Sequence, residues 1–332
     1  MRIKHVDVLR GIAAILVTFF HLTGGIALSE QTASYGKYGY LGVELFFVIS
    51  GFILPFSMYK THYTQHNFWR FILKRVIRIY PAYVAVMLLG ILLPYFTGRT
   101  VLPLLPTLTH FVFLNSILRL NWISPVFWTL AIEFQYYLLI GVLFKFLNKS
   151  NLGSALFIFS IVMLSIFLKN DAYIFHWFGF FGLGILIYNR RFTDMPLKLF
   201  WTSFIILTTA IVFVNGIPEA IAGCFAFLFI MYAKFDKRNM FNAVALWLGA
   251  ISYSLYLVHW EIGRSAIVFA RHLAFINSSE MLRVAFGTLF SILAAGILYK
   301  LIEQPSMRLS SKIKYKKDTI PTQPQLVEQA AS

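Results

Sequence analysis

The chain has 332 residues, of which 59% are hydrophobic, 18% aromatic and 13% charged, and its mean hydropathy is +0.72. Water-soluble domains carry about 25% charged residues, so this composition excludes a soluble protein of one or two domains. The formal net charge is +16. In so apolar a chain, the placement of Lys and Arg reports on membrane topology rather than on binding to nucleic acid.

Ten apolar segments of 17 to 23 residues follow one another along the chain. A helix that rises 1.5 Å per residue needs about 20 residues to cross the roughly 30 Å hydrocarbon layer. Strands of a membrane barrel would instead alternate apolar and polar residues over about ten positions. The sequence therefore predicts an all-α, polytopic transmembrane helical bundle of about ten helices, at 8–28, 38–59, 79–97, 125–147, 152–168, 172–188, 196–214, 217–233, 243–260 and 284–302.

Lys and Arg divide unequally between the two ends of such a bundle. With Arg10 set aside because it lies within the first segment, one set of alternate loops holds 21 of these residues and the other set holds 7. The positive-inside rule then predicts that both termini are cytoplasmic. Two further apolar stretches, 101–118 and 262–275, are interrupted by prolines or arginines and fit re-entrant or interfacial segments better than spans. If either stretch crossed the membrane, the orientation downstream would flip.

The chain divides into a membrane-embedded domain at 1–309 and a tail at 310–332. The tail is basic and then rich in Gln and Pro, with nothing apolar to pack, so we expect a disordered cytoplasmic end close to anionic lipid headgroups. The single cysteine, Cys224, excludes an intramolecular disulfide.

Ionisable groups in a membrane segment cost about 2.5 kcal/mol or more, so each one requires a reason. Asp7, Arg10 and His21 belong to the first segment. Arg10 and His21 are eleven residues apart, which is three helical turns plus about 20°, so they share one face with a rise of about 16 Å between them. Asp7 is spaced for an ion pair with Arg10. The alternative is that Arg10 reaches the interface and His21 only bonds a neighbouring helix.

Further polar residues are expected in the outer half of the bundle, at depths similar to that of His21: Glu44, Glu133 with Tyr137 on its helix face, and Ser252, Tyr256 and His259, which follow an i, i+4, i+7 pattern. Such residues form either a structural hydrogen-bond network between helices or a site for proton transfer. For Glu133 and His259 the sequence leaves both readings open.

Arginines gather at the cytoplasmic side. Arg75 and Arg78 precede the third span, and Glu303 ends the tenth span on the same side. Basic loops often mark topology or contact lipid, but guanidinium groups also offer paired donors to phosphate. An anion site on one side and a histidine farther out suit a donor with phosphates at one end and a reactive group on a long arm, such as acyl-coenzyme A. Histidine is a natural general base for an acceptor hydroxyl.

These residues resemble the motifs of the acyltransferase-3 family of integral membrane acyltransferases. The similar segments are Asp7 to Gly11 with His21, Gly42 to Phe52 around Glu44, Arg75 to Tyr83 with Arg78, Trp128 to Tyr137 with Glu133, and Ser252 to His259 followed by Glu303 and Pro305. Their order and spacing together are specific, although each motif is weak by itself. Glu44 stands where the family usually has aspartate and keeps the charge.

The resemblance implies an O-acyltransferase that moves an acetyl group from cytoplasmic acetyl-CoA to a hydroxyl of a lipid-linked or cell-surface glycan, such as lipopolysaccharide or exopolysaccharide. It implies His21 as the catalytic residue and Arg75 with Arg78 in donor handling. We add Glu44 and Glu133 as catalytic candidates and Arg10 as a donor contact. The other polar positions belong to a substrate-binding or structural network: Asp7, Trp128, Tyr137, Ser252, Tyr256, His259 and Glu303.

Acyl-CoA is expected as a donor substrate, with no permanently bound cofactor and no metal. The other expected partners are the glycan acceptor and membrane lipids, and the expected location is the bacterial cytoplasmic membrane. Two alternatives stay open. The enzyme could transfer another acyl group, such as succinyl, or acylate a small molecule. The protein could also be a transporter that uses its buried His, Glu and Arg groups as a proton relay.

Overall fold

The computed structural model describes residues 3–24, 28–97, 103–149, 151–233 and 240–316, which are helical and contain no strand. A long helix lies at each of the ten predicted segments. They are α1 (Lys4–Gly24), α2 (Gly42–Lys60), α3 (Phe68–Thr97), α4 (Trp128–Lys149), α5 (Asn151–Phe167), α6 (Ile174–Phe192), α7 (Leu197–Val214), α8 (Ile217–Tyr232), α9 (Met240–Val258) and α10 (Glu280–Leu298).

Length and composition separate these helices into two groups. Seven of them, taken with their helical continuations, are long and apolar enough to cross a membrane: α1, α2, α3, α4, α7, α9 and α10. The apolar helices α5 and α8 are shorter, at 17 and 16 residues. In α6, every residue from 178 to 189 is buried, so this helix lies inside the bundle. The prediction of an all-α polytopic bundle is confirmed.

Contacts at two levels along each helix pair give the relative directions. Phe71 packs on Tyr137 and Tyr83 packs on Phe127, so α3 and α4 are antiparallel. Glu303, beyond the end of α10, bonds to Ser254 in the middle of α9, and a side chain at Gly287 of α10 would meet Ile267 in the continuation of α9, so α9 and α10 are also antiparallel. The segment that connects α3 to α4 therefore begins and ends at one end of the bundle. The same holds for the segment that connects α9 to α10. Neither the described residues 103–118 nor 262–275 therefore add a crossing.

The two connecting segments differ in structure. The first contains the six-residue helix Leu104–Thr109 and a turn of 3₁₀ helix, and it is too short to span a bilayer. The buried His110 holds this segment in place, because its ring nitrogens bond to the Pro106 carbonyl and to the Ile123 N–H.

The second segment corrects the sequence prediction. A π-helix, His259–Gly263, continues α9 into the helix Arg264–Ala270, and the resulting run from 242 to 270 has 29 residues. Residues 262–270 thus extend α9 and do not form a separate interfacial segment.

Order continues past the predicted start of the tail at residue 310. The helix Gln304–Lys312 follows α10 through a second π-helix, Tyr299–Glu303. Asn67 then bonds to the backbone of Lys316 on both sides, accepting from its N–H at 2.8 Å and donating to its carbonyl at 3.1 Å. The predicted start of disorder is therefore too early by at least seven residues, and 317–332 lie outside the described residues.

The helices α1 and α9 run parallel and touch at two places. Near their beginnings, a side chain at Gly249 would collide with the Asp7 carbonyl oxygen, and one at Gly11 would press on the Gly249 backbone. Glycines let membrane helices approach this closely. Ten residues later on each helix, His21 contacts His259. We call the end of the bundle where α1 begins the basic end, and the other end the histidine end.

Candidate active site

A cavity of about 370 Å³ runs through the bundle from the basic end toward the histidine end. Ile3 and Met307 line it toward the basic end, and Thr129 and Tyr256 line it toward the histidine end. Its other polar side chains are Asp7, Arg10, Ser50, Arg75, Arg78, Glu133, Tyr137, Tyr253 and Glu303. The three arginines predicted from separate parts of the sequence therefore share one cavity.

Among the arginines that the structure describes, Arg75 is the least exposed. Its residue is 6% exposed, and its guanidinium lies over the rings of Phe71 and Tyr137 at 5.3 and 5.9 Å. One terminal nitrogen reaches the Ser57 hydroxyl at 3.5 Å, whereas the Nε has no hydrogen-bond partner. A buried N–H group without a hydrogen-bond partner costs about 1 to 3 kcal/mol. The Nε of Arg75 can therefore donate a hydrogen bond to a group that enters the cavity.

Carboxylates offset the positive charge of the cavity. Glu303 accepts from the backbone N–H and the hydroxyl of Ser254, at 3.2 and 2.6 Å. Glu133 accepts from the Ser50 hydroxyl at 3.0 Å. Both carboxylates lie within electrostatic range of Arg10 and Arg78. Asp7 also lies within electrostatic range of Arg10.

The position of Glu133 corrects the sequence interpretation. The sequence grouped Glu133 with His21 in the outer half of the bundle, but the structure places it with the arginines. Its helix, α4, packs on α2 so that Ser50 faces Glu133.

The cavity ends against Tyr256 near the histidine end. The Tyr256 hydroxyl and the Thr129 hydroxyl are 2.7 Å apart, and Tyr256 also donates to the Val126 carbonyl at 3.2 Å. The tyrosine ring lies 5.8 Å from the ring of His259. A single aromatic side chain therefore separates the charged cavity from the histidine pair.

The histidine pair joins α1 to the continuation of α9. Nδ1 of His21 lies 3.0 Å from Nε2 of His259, and Nδ1 of His259 lies 3.1 Å from the Leu255 carbonyl oxygen. His259 is fully buried, whereas His21 is partly exposed. The indole of Trp260 meets the His21 ring edge-on at 5.5 Å.

Glu44 is buried and makes no hydrogen bond to His21. It is 2% exposed, and its Oε2 has no hydrogen-bond partner. In the described part of the chain, no hydrogen bond joins it to His21, whose partner is His259. Glu44 instead lies within electrostatic range of Tyr256 and of Tyr40, and the Tyr40 hydroxyl donates to Glu219 at 2.8 Å.

Three residues of the predicted network lie outside the cavity lining: His259, which belongs to the histidine pair, Trp128 and Ser252. Trp128 packs on Trp177 and Phe47, and the Ser252 hydroxyl donates to the Gly249 carbonyl within its own helix. The sequence analysis missed Ser254, which holds Glu303. Serine is common in membrane helices, so the sequence contains no signal that would have singled it out.

The two π-helices both carry site residues. One contains His259 and the other contains Glu303. Such departures from the α-helical pattern are rare and frequently mark functional sites.

A cavity lined by arginines that leads toward a histidine pair inside a membrane bundle is suited to group transfer from an anionic donor. The model of the acyltransferase-3 family, described as an acyltransferase domain, matches residues 3–300. The chain therefore belongs to the acyltransferase-3 family, and the protein is a membrane-embedded acyltransferase.

Two relatives show the extent of the similarity. A protein of Acidianus two-tailed virus that carries the name of an acetyltransferase, ORF330, is 25% identical over 315 residues, which cover 88% of this chain and 91% of the viral protein. The O-acetyltransferase OatA of Staphylococcus aureus is 25% identical over 363 aligned positions, which cover 90% of this chain but 56% of OatA. The chain thus spans little more than half the length of OatA. No solved structure matches the chain.

Proposed function

We propose that the protein is an O-acetyltransferase of a bacterial cytoplasmic membrane. It takes the acetyl group of cytoplasmic acetyl-CoA and passes it to a hydroxyl of a lipid-linked or cell-surface glycan on the other side. The names of the two relatives support acetyl transfer. The excess of Lys and Arg at the basic end supports a cytoplasmic position for that end.

The single observation that carries the proposal is the unpartnered Nε of Arg75 in a cavity that also contains Arg10 and Arg78. A phosphate of coenzyme A would supply the missing acceptor, and guanidinium groups bind phosphate through paired hydrogen bonds. In this proposal Glu133 and Glu303 hold the arginines in position.

The spacing of Arg10 and His21 along α1 supports delivery of the acetyl group to the histidine end. His21 lies eleven residues beyond Arg10 on α1, about 16 Å farther along the helix. The extended pantetheine arm of coenzyme A is suited to this distance. The acetyl thioester would arrive at Tyr256, next to the histidine pair.

In the chemical step, His21 acts as the general base. Its Nε2 takes the proton of the acceptor hydroxyl while the hydroxyl oxygen forms a bond to the thioester carbonyl carbon. The tetrahedral intermediate collapses as the carbon–sulfur bond breaks, and the imidazolium returns the proton to the thiolate. The products are the acetyl ester and free coenzyme A. The free oxygen of Glu44 is available to accept a hydrogen bond from the acceptor.

The test uses purified full-length protein in liposomes with radiolabelled acetyl-CoA. We expect label to enter lipid-linked glycan, with little loss of acetyl-CoA when glycan is left out. His21→Ala should keep the affinity for acetyl-CoA and lower turnover by about 100-fold to 10,000-fold, because it removes a general base. Wild-type turnover in His21→Ala would contradict the mechanism. Label in a small-molecule acceptor, or turnover with succinyl-CoA alone, would contradict the proposed substrates.

A further inference from the structure

The hydrogen bonds of the histidine pair, together with the Val17 carbonyl one turn earlier on α1, which also accepts from the His21 ring, indicate which nitrogen of His21 carries its proton. The Leu255 carbonyl can only accept, so Nδ1 of His259 carries a hydrogen and donates it at 3.1 Å. A hydrogen bond also joins the two rings at 3.0 Å, and it requires one bare nitrogen. If Nε2 of His259 also carried a hydrogen, His259 would be an imidazolium donating to His21 from a fully buried position.

Burial decides between these two protonation patterns. His259 is 0% exposed, and a charged group at such a position requires a paired counter-charge. The hydrogen bonds of its ring go to a carbonyl and to another imidazole, neither of which carries a negative charge. His259 is therefore neutral with a bare Nε2, and His21 donates from Nδ1.

We propose that His259 is a positioning residue, which holds His21 in the tautomer with Nδ1 protonated and Nε2 free to act as the base. The inference rests on the proposed function of His21. When His21 takes a proton from the acceptor, the lone pair of His259 still accepts from the imidazolium, and no second proton transfer is required. The serine protease triad uses an aspartate for the same purpose, and there the wrong histidine tautomer lowers turnover about 10,000-fold.

The neighbouring contacts also restrict the His21 ring. Trp260, the residue after His259, meets the ring edge-on at 5.5 Å. The glycine contact between α1 and α9, ten residues earlier on both helices, brings the two backbones close together. The π-helix that begins at His259 thus directs two consecutive side chains toward His21.

Two substitutions at the same position separate orientation from proton transfer. His259→Gln can still offer a carbonyl oxygen to the Nδ1–H of His21, whereas His259→Leu cannot. We expect His259→Leu to lower kcat about 100-fold, the scale of loss when a catalytic group is misplaced, with little change in the affinity for acetyl-CoA. We expect His259→Gln to recover most of this loss. The matched control is His272→Leu, at an exposed histidine near the same end of the bundle, which should leave kcat unchanged.

A spectroscopic measurement tests the tautomer without any acceptor substrate. In protein with ¹⁵N-labelled histidine, the His21 signals are those lost in His21→Ala. We expect these signals to show protonated Nδ1 in the wild type and in His259→Gln, and a shift toward protonated Nε2 in His259→Leu.

The outcomes distinguish this inference from the proposed function. If His21→Ala is inactive but His259→Leu has normal turnover and an unchanged tautomer, the positioning role is wrong and the proposed function stands. Equal losses in the Gln and Leu variants would also overturn the positioning role. If His21→Ala keeps normal turnover, the proposed role of His21 as the base fails, and the ¹⁵N signals still decide whether His259 sets the tautomer.

Discussion

Removing the charge of Arg75 is expected to affect donor binding and protein stability differently. Arg75→Met keeps an apolar stem that can pack between Phe71 and Tyr137 but removes the guanidinium. A charge-assisted contact to phosphate contributes about 1.5 to 3 kcal/mol. At 1.4 kcal/mol for each factor of ten, the Kd for acetyl-CoA should rise about 10-fold to 140-fold.

The free protein should tolerate the same substitution. Loss of the two cation–π contacts costs about 0.5 to 2 kcal/mol for each ring, but the change also removes a buried N–H group that has no partner, which offsets about 1 to 3 kcal/mol. We therefore expect the Tm of the unliganded protein to change little. At a donor concentration of 100 times the wild-type Kd, binding stabilises the wild type by about 2.7 kcal/mol, and a 100-fold weaker variant by about 0.4 kcal/mol.

Calorimetry with acetyl-CoA and thermal unfolding in detergent measure the two quantities. Arg70→Met is the matched control, because Arg70 is on the same helix and donates to the Lys314 carbonyl outside the cavity. Its affinity for acetyl-CoA should remain that of the wild type. Wild-type affinity in Arg75→Met, or an equal loss in Arg70→Met, would refute the assignment of the phosphate site to the cavity.

Three other predictions concern the network, the topology and the connecting segment. Glu133→Gln should keep near-normal turnover and lower the Tm, because Glu133 balances the arginines; a large loss of turnover at unchanged Tm would instead assign it a chemical role. In cells with a permeabilised outer envelope and Cys224 replaced by Ser, an impermeant thiol reagent should label a cysteine introduced at 119 and not one at 314, and labelling at 314 would reverse the topology. Burial lowers the pKa of His110 below its ordinary value of 6.5, so the His110 imidazole is protonated at a higher pH in the unfolded state than in the folded state. The free energy of unfolding should therefore fall as the pH drops below about 6.5, and His110→Phe should lose that part of the pH dependence.

The helices were predictable because hydrophobic length alone defines them. Each apolar segment long enough to span a bilayer forms a helix, and the alternation of basic loops predicts how the helices are oriented across the membrane. The continuation of α9 past residue 262 was not predictable. Arg264 looked like the end of an apolar segment, but its side chain lies over the Trp260 ring at 5.2 Å.

The candidate site was predictable in its members more than in its arrangement. A charged residue in an apolar helix is conspicuous, so Arg10, His21 and Glu133 could be identified. Their partners depend on which helices touch, and uniformly apolar helices give no periodic signal for the face that each one buries. Glu44 could therefore be placed beside His21 from depth alone, whereas the structure gives that position to His259.

The contacts between α1 and α9 fix the distance between Arg10 and His21 along the bundle. The glycine contact and the histidine pair are ten residues apart on both helices, and Arg10 adjoins the glycine contact, so Arg10 and His21 are held at a fixed separation by one pair of parallel helices. Removing one residue from α1 between them would shorten the distance by about 1.5 Å but also turn His21 by about 100° away from its partner. An insertion or deletion in α1 that keeps His21 facing His259 must therefore be close to a whole helical turn, which changes the distance by about 5.4 Å. Under the proposed function, evolution toward a donor with a slightly longer or shorter arm cannot proceed by gradual change in these helices, so a new acyl donor would have to keep the arm of coenzyme A and vary only beyond the thioester.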